Sequence, residues 1–453
     1  MFSRRDLARI IIPLVVEQVL LVLVGMVDSV MVSSVGEAAI SGVSLVDTVN
    51  ILMIYILSAL AAGGAVVISQ FLGGGETEKA QKSAKQLLWV VFFVALVIMA
   101  LVLIFRKPLL SLVFGSVEQR VMQNAQVYFL YTALSYPFLG VAGGASAVFR
   151  AMRNSKISMY ASIVMNGINV AGNALLIFGF HMGVAGAAIA TLISRVVNAV
   201  MMVAALHSKK NIIHVEKLWR FKPDPSIIKR ICGIGIPNGL ENGMFQFGKI
   251  LTQSLIATFS TAHIAANAVA STLSTFQYMP GNAIGLALVT IVGQCVGAGE
   301  KAQAKRYTRN LLGIAYAMIA AVSVLLCLFA DQIIGFYQLG PEAAGVAKSL
   351  IFVHSLAVSL MHPSAFAITN AFRASSDVRY PMVLSIISMW VFRVGFGYLF
   401  AATTELGVMS VWYAMFCDWI FRACFYVTRF SRGTWLTKYR TESIKGEKKH
   451  GVS

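Results

Sequence analysis

The amino-acid sequence predicts an all-α integral membrane protein, with twelve transmembrane helices in two pseudo-symmetric six-helix bundles. An internal repeat, an apolar composition and a one-sided distribution of charge lead to that fold class. Shifted by 224 positions, the front half of the 453-residue chain lands on its back half. Pro13 and Glu17 fall on Pro237 and Glu241; Gln70, Gly73, Gly75, Glu76 and Ala80 fall on Gln294, Gly297, Gly299, Glu300 and Ala304. The register holds without a gap over about seventy residues, as a tandem duplication requires. It drifts by one where Phe149-Arg150-Ala151 meets Phe372-Arg373-Ala374, and returns near Gly183 and Gly407. Duplicated halves in an apolar chain read as two membrane lobes around a shared central site.

The chain is 58% hydrophobic and 12% charged, with mean hydropathy +0.75, outside the range of soluble domains. A hydrocarbon core about 30 Å thick takes roughly 20 apolar residues per helix. In order, the first half offers spans at about 7–34, 45–71, 86–105, 123–149, 156–180 and 183–207. The second half offers 228–258, 267–296, 306–330, 346–372, 379–402 and 406–428. The expected organisation is an N-terminal lobe at 1–207, a cytoplasmic linker at 208–226, a C-terminal lobe at 227–430 and a basic cytoplasmic tail at 431–453. The first span exceeds a signal-peptide core and lacks a small-residue cleavage site, so it is expected to stay as helix one.

The net charge of +18 does not indicate nucleic acid, because the cations are sorted by loop. Twelve spans place 29 of the 37 Lys and Arg on one side, among them Arg4, Lys79, Arg150, the linker, Lys301, Arg373 and the tail. The other side has Arg106, Lys107, Arg120 and Lys348. That is the positive-inside pattern, with both termini cytoplasmic and a bacterial inner membrane as the expected location. The basic face also suits anionic lipids. Six spans per half bring Pro13 and Pro237 in from the same side, so the repeats are parallel.

Other classes find little support. The cysteines at 232, 295, 327, 417 and 424 lack metal-ligand spacing and read as small buried hydrophobes. No GxxxxGK[ST] phosphate loop occurs, which argues against an ATP-driven pump. Gly73-Gly74-Gly75 reads as a helix end and turn. Clustered acidic metal motifs and a nucleophile with its base are both missing, so an enzyme is not expected. Nor is a cofactor.

Ionisable groups at membrane depth cost at least about 2.5–3.5 kcal/mol on insertion scales, so each one requires an account. Asp28 stands in Val24-Gly-Met-Val-Asp-Ser with no basic residue nearby on its helix. A carboxylate held in an apolar span can load and release a proton, or hold Na⁺ with help from neutral oxygens. Glu17 lies eleven residues earlier on nearly the same stripe. Asn166, Asn169 and Asn173 follow at spacings of three and four, which puts them on one helix face turned to the bundle interior. They supply a polar cage for an ion or, more simply, bonds between helices. In the second half Glu241 is expected to pair with Lys249, two turns on and equally buried, or with an arginine, or to exchange partners during transport. His362 before Pro363 can titrate near neutral pH or serve structurally. Arg195 and Arg393 are expected to be interhelical charge partners, with Asp28 and Glu241 among the acids that either could contact. Pro13, Pro137, Pro237, Pro280 and Pro363 mark kinks, and Ala61-Ala62-Gly63-Gly64 and Gly143-Gly144-Ala145 allow close helix packing.

The whole chain, about residues 5–430, resembles the multidrug and toxic compound extrusion (MATE) family of the wider flippase superfamily. The resemblance rests on Pro13…Asp28…Gly36, on Gln70-Phe-Leu-Gly73 and its repeat Gln294-Cys-Val-Gly297, and on Phe149-Arg150-Ala151. Asn169…Asn173 and Gly407-Val-Met-Ser-Val-Trp412 complete it. It implies two bundles forming a V-shaped cavity, and antiport in which inward H⁺ or Na⁺ flow expels organic, often cationic, amphiphiles from a monomeric transporter. Asp28 stands at the family's first-helix aspartate and Asn169 at an asparagine of the same ion site, while Asn173 replaces a frequent aspartate. The family's seventh-helix glutamate lies about one turn beyond Glu241, where Phe245 stands, and its tenth-helix acidic position is His362 here. The resemblance therefore places coupling at Asp28, Asn169 and Asn173, with H⁺ ahead of Na⁺. Glu17, Asn166, Glu241, Lys249, His362 and Arg195 are candidates for substrate contact or gating. The rival reading is a flippase for a lipid or lipid-linked precursor, which Arg195, Lys249 and Arg393 would suit.

Overall fold

The computed structural model describes residues 2–115, 118–216, 218, 222–437 and 439, with 112–114 as backbone alone. Among them are helices and turns and no strand. The order is α1 (Arg4–Ser33), α2 (Glu37–Gly73), α3 (Thr77–Phe114), α4 (Gln119–Leu134), α5 (Tyr136–Ala151), α6 (Ser155–Asn173) and α7 (Gly183–Leu206). After the linker come α8 (Pro225–Ile256), α9 (Thr261–Gly297), α10 (Lys301–Leu328), α11 (Ala330–Phe336) and α12 (Pro341–His362). The short α13 (Ile368–Ala374), α14 (Arg379–Ser388) and α15 (Phe396–Thr403) precede α16 (Val408–Arg432).

Among the described residues ten helices are long and apolar enough to cross a membrane, and the pair α4–α5, bent by 45°, makes an eleventh when counted as one span. The bend falls at the start of α5, where Pro137 is tolerated in a first turn. The predicted span at 228–258 forms as the 32-residue α8 but is too polar to count as an apolar crossing. Its polar residues are therefore the ones that need partners. The chain is a multi-pass membrane protein.

Two compact units divide the chain, Phe2–Gly239 and Leu240–Ser453. In the first, α1 packs on α6, α2 on α3, α4 and α5, and α6 on α7. Gly63 of α2 lets the start of α8 come close, since an added Cβ would lie 2.6 Å from the Ile231 carbonyl oxygen. The linker packs along α3, with Gln86 donating to the Lys222 carbonyl at 2.7 Å and Trp89 to that of Leu218 at 3.0 Å. Asp224 starts α8, accepting from Ser226 N and Oγ at 3.0 and 2.7 Å. Those bonds hold its carboxyl below the usual range. Lys217 and Arg220 of the linker lie outside the described residues.

In the second unit α9 packs on α10, α12 and α13, and α15 on α16. An aromatic core holds Trp412, Phe416 and Trp419. The predicted tail begins as a docked turn at Thr434–Thr437, where Trp435 is fully buried. Trp435 stacks on Phe430 at 5.8 Å, and its carbonyl accepts from Ser375. The rest of the tail, apart from Tyr439, lies outside the described residues.

The duplication is written into the backbone as well as the sequence. Gly75 and Gly299 take φ of 78° and 79°, Gly183 and Gly407 take 57° and 56°, and Arg153 and Ser376 take 64° and 65°. The last pair is offset by 223, which reproduces the drift seen at Phe149 and Phe372. Three π-turns interrupt the helices, at Ala174–Gly179, Pro363–Ala367 and Met389–Gly395. Each widens its helix by one residue per turn and re-aims the side chains beside it. Asn173, His362 and Arg393 all stand at or in one of them.

Candidate functional site

The first unit gathers its polar residues around Asp28, which is half-buried on α1. Two asparagines of α6 reach it. Asn173 Nδ2 donates to Asp28 Oδ1 at 2.5 Å. Asn169 lies between Asp28 and Thr191 of α7 and fits there in two ways. With its nitrogen toward the carboxylate, it donates to Asp28 Oδ1 and Oδ2 at 2.7 and 3.2 Å and accepts from Thr191 at 3.3 Å. Turned over, it donates to Thr191 at 3.3 Å and offers a carbonyl that suits a protonated carboxyl. Amide orientation and carboxyl protonation are thereby linked. Asp28 makes no salt bridge among the described residues; its counter-charge is the more distant Arg195.

A second carboxylate, Asp47 of α2, joins this cluster and was not singled out in the sequence. It accepts from Asn50 at 3.2 Å and from the Tyr128 hydroxyl, and it shares the field of Arg195 with Asp28. Tyr136 donates to Asn50 at 2.7 Å and Arg195 to Ser135 at 2.7 Å. Asp47 lies near the start of the span predicted at 45–71, where an acid reads as interfacial. Arg195 is thus near Asp28, as one expectation had it, and bonded to a serine. Asn166 is buried on α6, and its Nδ2 has no partner among the described residues.

Glu17 does not share the Asp28 cluster. It is buried, 3.9 Å from Arg150 Nη1. Its repeat partner Glu241 does the same with the repeat partner of Arg150: Arg373 Nη2 lies 2.7 Å from Glu241 Oε2. Ser385 donates to the other oxygen of Glu241 at 2.9 Å. Of the two expected kinds of partner, the structure gives Glu241 an arginine and not Lys249. Lys249 was expected to be as buried as Glu241, yet it is exposed on α8. The two arginines are the conserved-register members of Phe-Arg-Ala, which hydropathy alone had assigned to loops.

Farther along the second unit, Asp418 and Arg422 of α16 form a fully buried pair at 2.7 Å, spaced four apart on one helix. Ser388 donates to the same carboxylate and Arg393 lies 4.0 Å from its other oxygen. His362 is buried between Tyr278 and Phe366, stacked at 5.4 and 4.9 Å, with Trp419 edge-on at 5.9 Å. Phe245 meets the same Phe366 at 6.2 Å. Phe245 and His362, standing at two positions where the resemblance implied acids, are thus brought around one aromatic ring. In place of a carboxylate pair they make an aromatic and imidazole wall.

The MatE family model matches residues 13–175 and, a second time, residues 237–399. The two matches are displaced by the same 224 positions as the internal repeat. The chain belongs to the MATE family. It is 26% identical over 443 residues to the "Uncharacterized transporter YisQ" of Bacillus subtilis, covering 94% of each chain. It is 23% identical to the "Probable multidrug resistance protein NorM" of Thermotoga maritima, over 97% of this chain and 96% of that one. Its fold matches an outward-facing multidrug resistance MATE transporter of the MOP superfamily with a TM-score of 0.89, at 21% identity and 96% coverage of both chains. The chain is thus a MATE transporter by family and fold.

Proposed function

We propose that this MATE transporter is a secondary antiporter of a bacterial inner membrane, with both termini cytoplasmic, that exports organic, cationic amphiphiles in exchange for H⁺. Relatives named for multidrug resistance, such as NorM, support the drug-efflux part. The coupling part is carried by one observation. Asp28 is a half-buried carboxylate held by Asn173 and, in one of its orientations, by Asn169, and by no guanidinium among the described residues.

A carboxylate fixed by arginine keeps its charge through the cycle and has nothing to exchange. One fixed by asparagines can gain and lose a cation while its partners reorient, and Asn169 has a fitting orientation for either state. Gain of the proton removes a charge from the interior of the unit, and differential stability of two packings is what alternating access requires. Substrate and ion then compete through that equilibrium, each shifting it by its difference in affinity for the two forms.

A second coupling ion is favoured by one detail. Asn173 Oδ1 is buried without a donor among the described residues, and a carbonyl oxygen beside a carboxylate is a ligand for Na⁺. Proteoliposomes separate the two. An imposed pH gradient without sodium is expected to drive uptake of a fluorescent cation by the wild type, and Asp28→Asn is expected to abolish it. Uptake under a sodium gradient alone would assign the role to Na⁺; uptake by Asp28→Asn at the wild-type rate would remove Asp28 from coupling.

A further inference from the structure

The second unit holds more cations than its carboxylates can answer. Asp418 gives one oxygen to Arg422 Nε at 2.7 Å and to Ser388, and its other oxygen has no hydrogen-bond partner among the described residues. Arg393 stays 4.0 Å away, bonded through Nη2 to the Met415 sulfur at 3.1 Å and lying 5.2 Å from the centre of the Phe245 ring. Arg422 shares that ring at 5.5 Å and donates to the Ser385 carbonyl at 3.0 Å. Glu241, the other acid of the neighbourhood, is taken by Arg373 and Ser385.

Lys249 stands four residues beyond Phe245, on the same face of α8. Its ammonium is exposed, with no ion pair or hydrogen bond among the described residues, and the charge acting on it is that of Arg393. Arg393 and Arg422 thus share one carboxylate, and Lys249 adds a third positive charge that acts on Arg393. Two like charges near each other at membrane depth repel strongly in a poorly screening medium. An arrangement of that kind is relieved by a bound anion. A planar guanidinium and a mobile ammonium together suit an oxyanion, the first by its fixed fork and the second by its reach.

We propose that Lys249 and Arg393 form a binding site for an anionic oxygen group, a carboxylate on the transported amphiphile or a lipid phosphate, with Phe245 as the apolar surface beside it. The transported-solute form rests on the efflux reading above and refines it. Favoured solutes carry an acid group in addition to, or in place of, a cation.

Rhodamine B, which has a free carboxylate, and its ethyl ester, otherwise alike, are a matched pair of probes. Binding of each to the full-length protein is measured by fluorescence anisotropy in phosphatidylcholine nanodiscs, and transport in vesicles of the same lipid. The wild type is expected to bind the acid at least about tenfold more tightly than the ester, the worth of one good charged contact. Lys249→Gln and Arg393→Gln are each expected to erase that preference, and Lys249→Arg to keep it. Lys348→Gln, which alters a surface pair with Asp331, is expected to keep it as well. Adding phosphatidylglycerol separates the sources: competition with the acid in the wild type assigns the site to lipid phosphate, and no competition assigns it to the solute. A preference that survives both glutamine variants, or a wild type that prefers the ester, would overturn the site. Acid-selective binding with no transport of either dye under any ion gradient would leave the site standing and overturn the efflux reading.

Discussion

At Asp28 the chemistry turns on which atoms hold the carboxylate. Asn173 donates to it, as Asn169 does in one of its two orientations, and a hydrogen bond to a charged group is worth about 1.5–3 kcal/mol. Removing one donor by Asn173→Ala leaves the carboxylate and its other amide in place. Gradient-driven transport by that variant is expected to fall roughly tenfold, the kinetic equivalent of one such bond. Asp28→Asn, which removes the charge, is expected to fall to background. Equal losses in the two variants would mean that the asparagine is as necessary as the acid. The buried pair in the other unit is a matter of stability. Arg422→Met strands Asp418 at 0% exposure, and breaking such a pair costs about 3–5 kcal/mol. A large fall in Tm is expected in detergent, and the double variant with Asp418→Leu is expected to regain most of it because no carboxylate is then buried without its partner.

At the scale of single helices, small residues and caps set the packing. Gly63 has no room for a side chain: its Cβ would come within 2.6 Å of one backbone atom of α8 and 2.9 Å of another. Gly63→Val is expected to cost about 1–3 kcal/mol through forced displacement, read as a lower Tm. Gly143 has open space around it, so Gly143→Ala is expected to be neutral. At the start of α8, Asp224 contributes stability of about 1 kcal/mol as a cap. Its carboxyl is held low in the folded chain, so that contribution is full above the unfolded value near 4 and lost as pH falls through the folded one. Asp224→Ala is expected to lower Tm at pH 7 and to have little effect near pH 2.

The same helices show what a linear sequence reveals. Asn169 and Asn173 were legible because polar residues four apart on an apolar helix define a face, and Asp28 because no basic residue stands near it on its helix. Asp418 and Arg422 also carry that spacing of four, so their pairing was open to the same argument. The Glu17–Arg150 and Glu241–Arg373 pairs were not, since each joins residues more than a hundred positions apart and hydropathy assigns the arginines to loops. The π-turns leave no trace in hydropathy, and they are what aims Asn173, His362 and Arg393. Lys249 was misjudged for a related reason: span membership says nothing about which side of a helix faces other protein.

For the molecule as a whole, the sorting of charge makes a prediction independent of any transport assay. With 29 of 37 cations on one side of an even number of spans, both ends of the chain are expected in the cytoplasm by the positive-inside rule. Ten apolar helices, the bent pair α4–α5 and the polar α8 make up that even number. The case of α8 is the test, because it is the one crossing that hydropathy does not support. If α8 spans, a green fluorescent protein fused after Ser453 folds in the cytoplasm and fluoresces, and alkaline phosphatase fused there is inactive. Phosphatase placed between α3 and α4, next to Arg106 and Lys107, is active on the opposite side. If α8 lies on the surface instead, every loop after it changes side. The terminal fusion then exchanges its two signals while the α3–α4 fusion keeps its own. Glu241 and Lys249 make α8 poor as a membrane anchor by itself. Its insertion therefore depends on Arg373 and Ser385 being present to receive Glu241. Truncation of the chain before α12 is expected to release α8 from the membrane, so that reporters fused between α8 and α9 change side in the truncated chain and not in the full one.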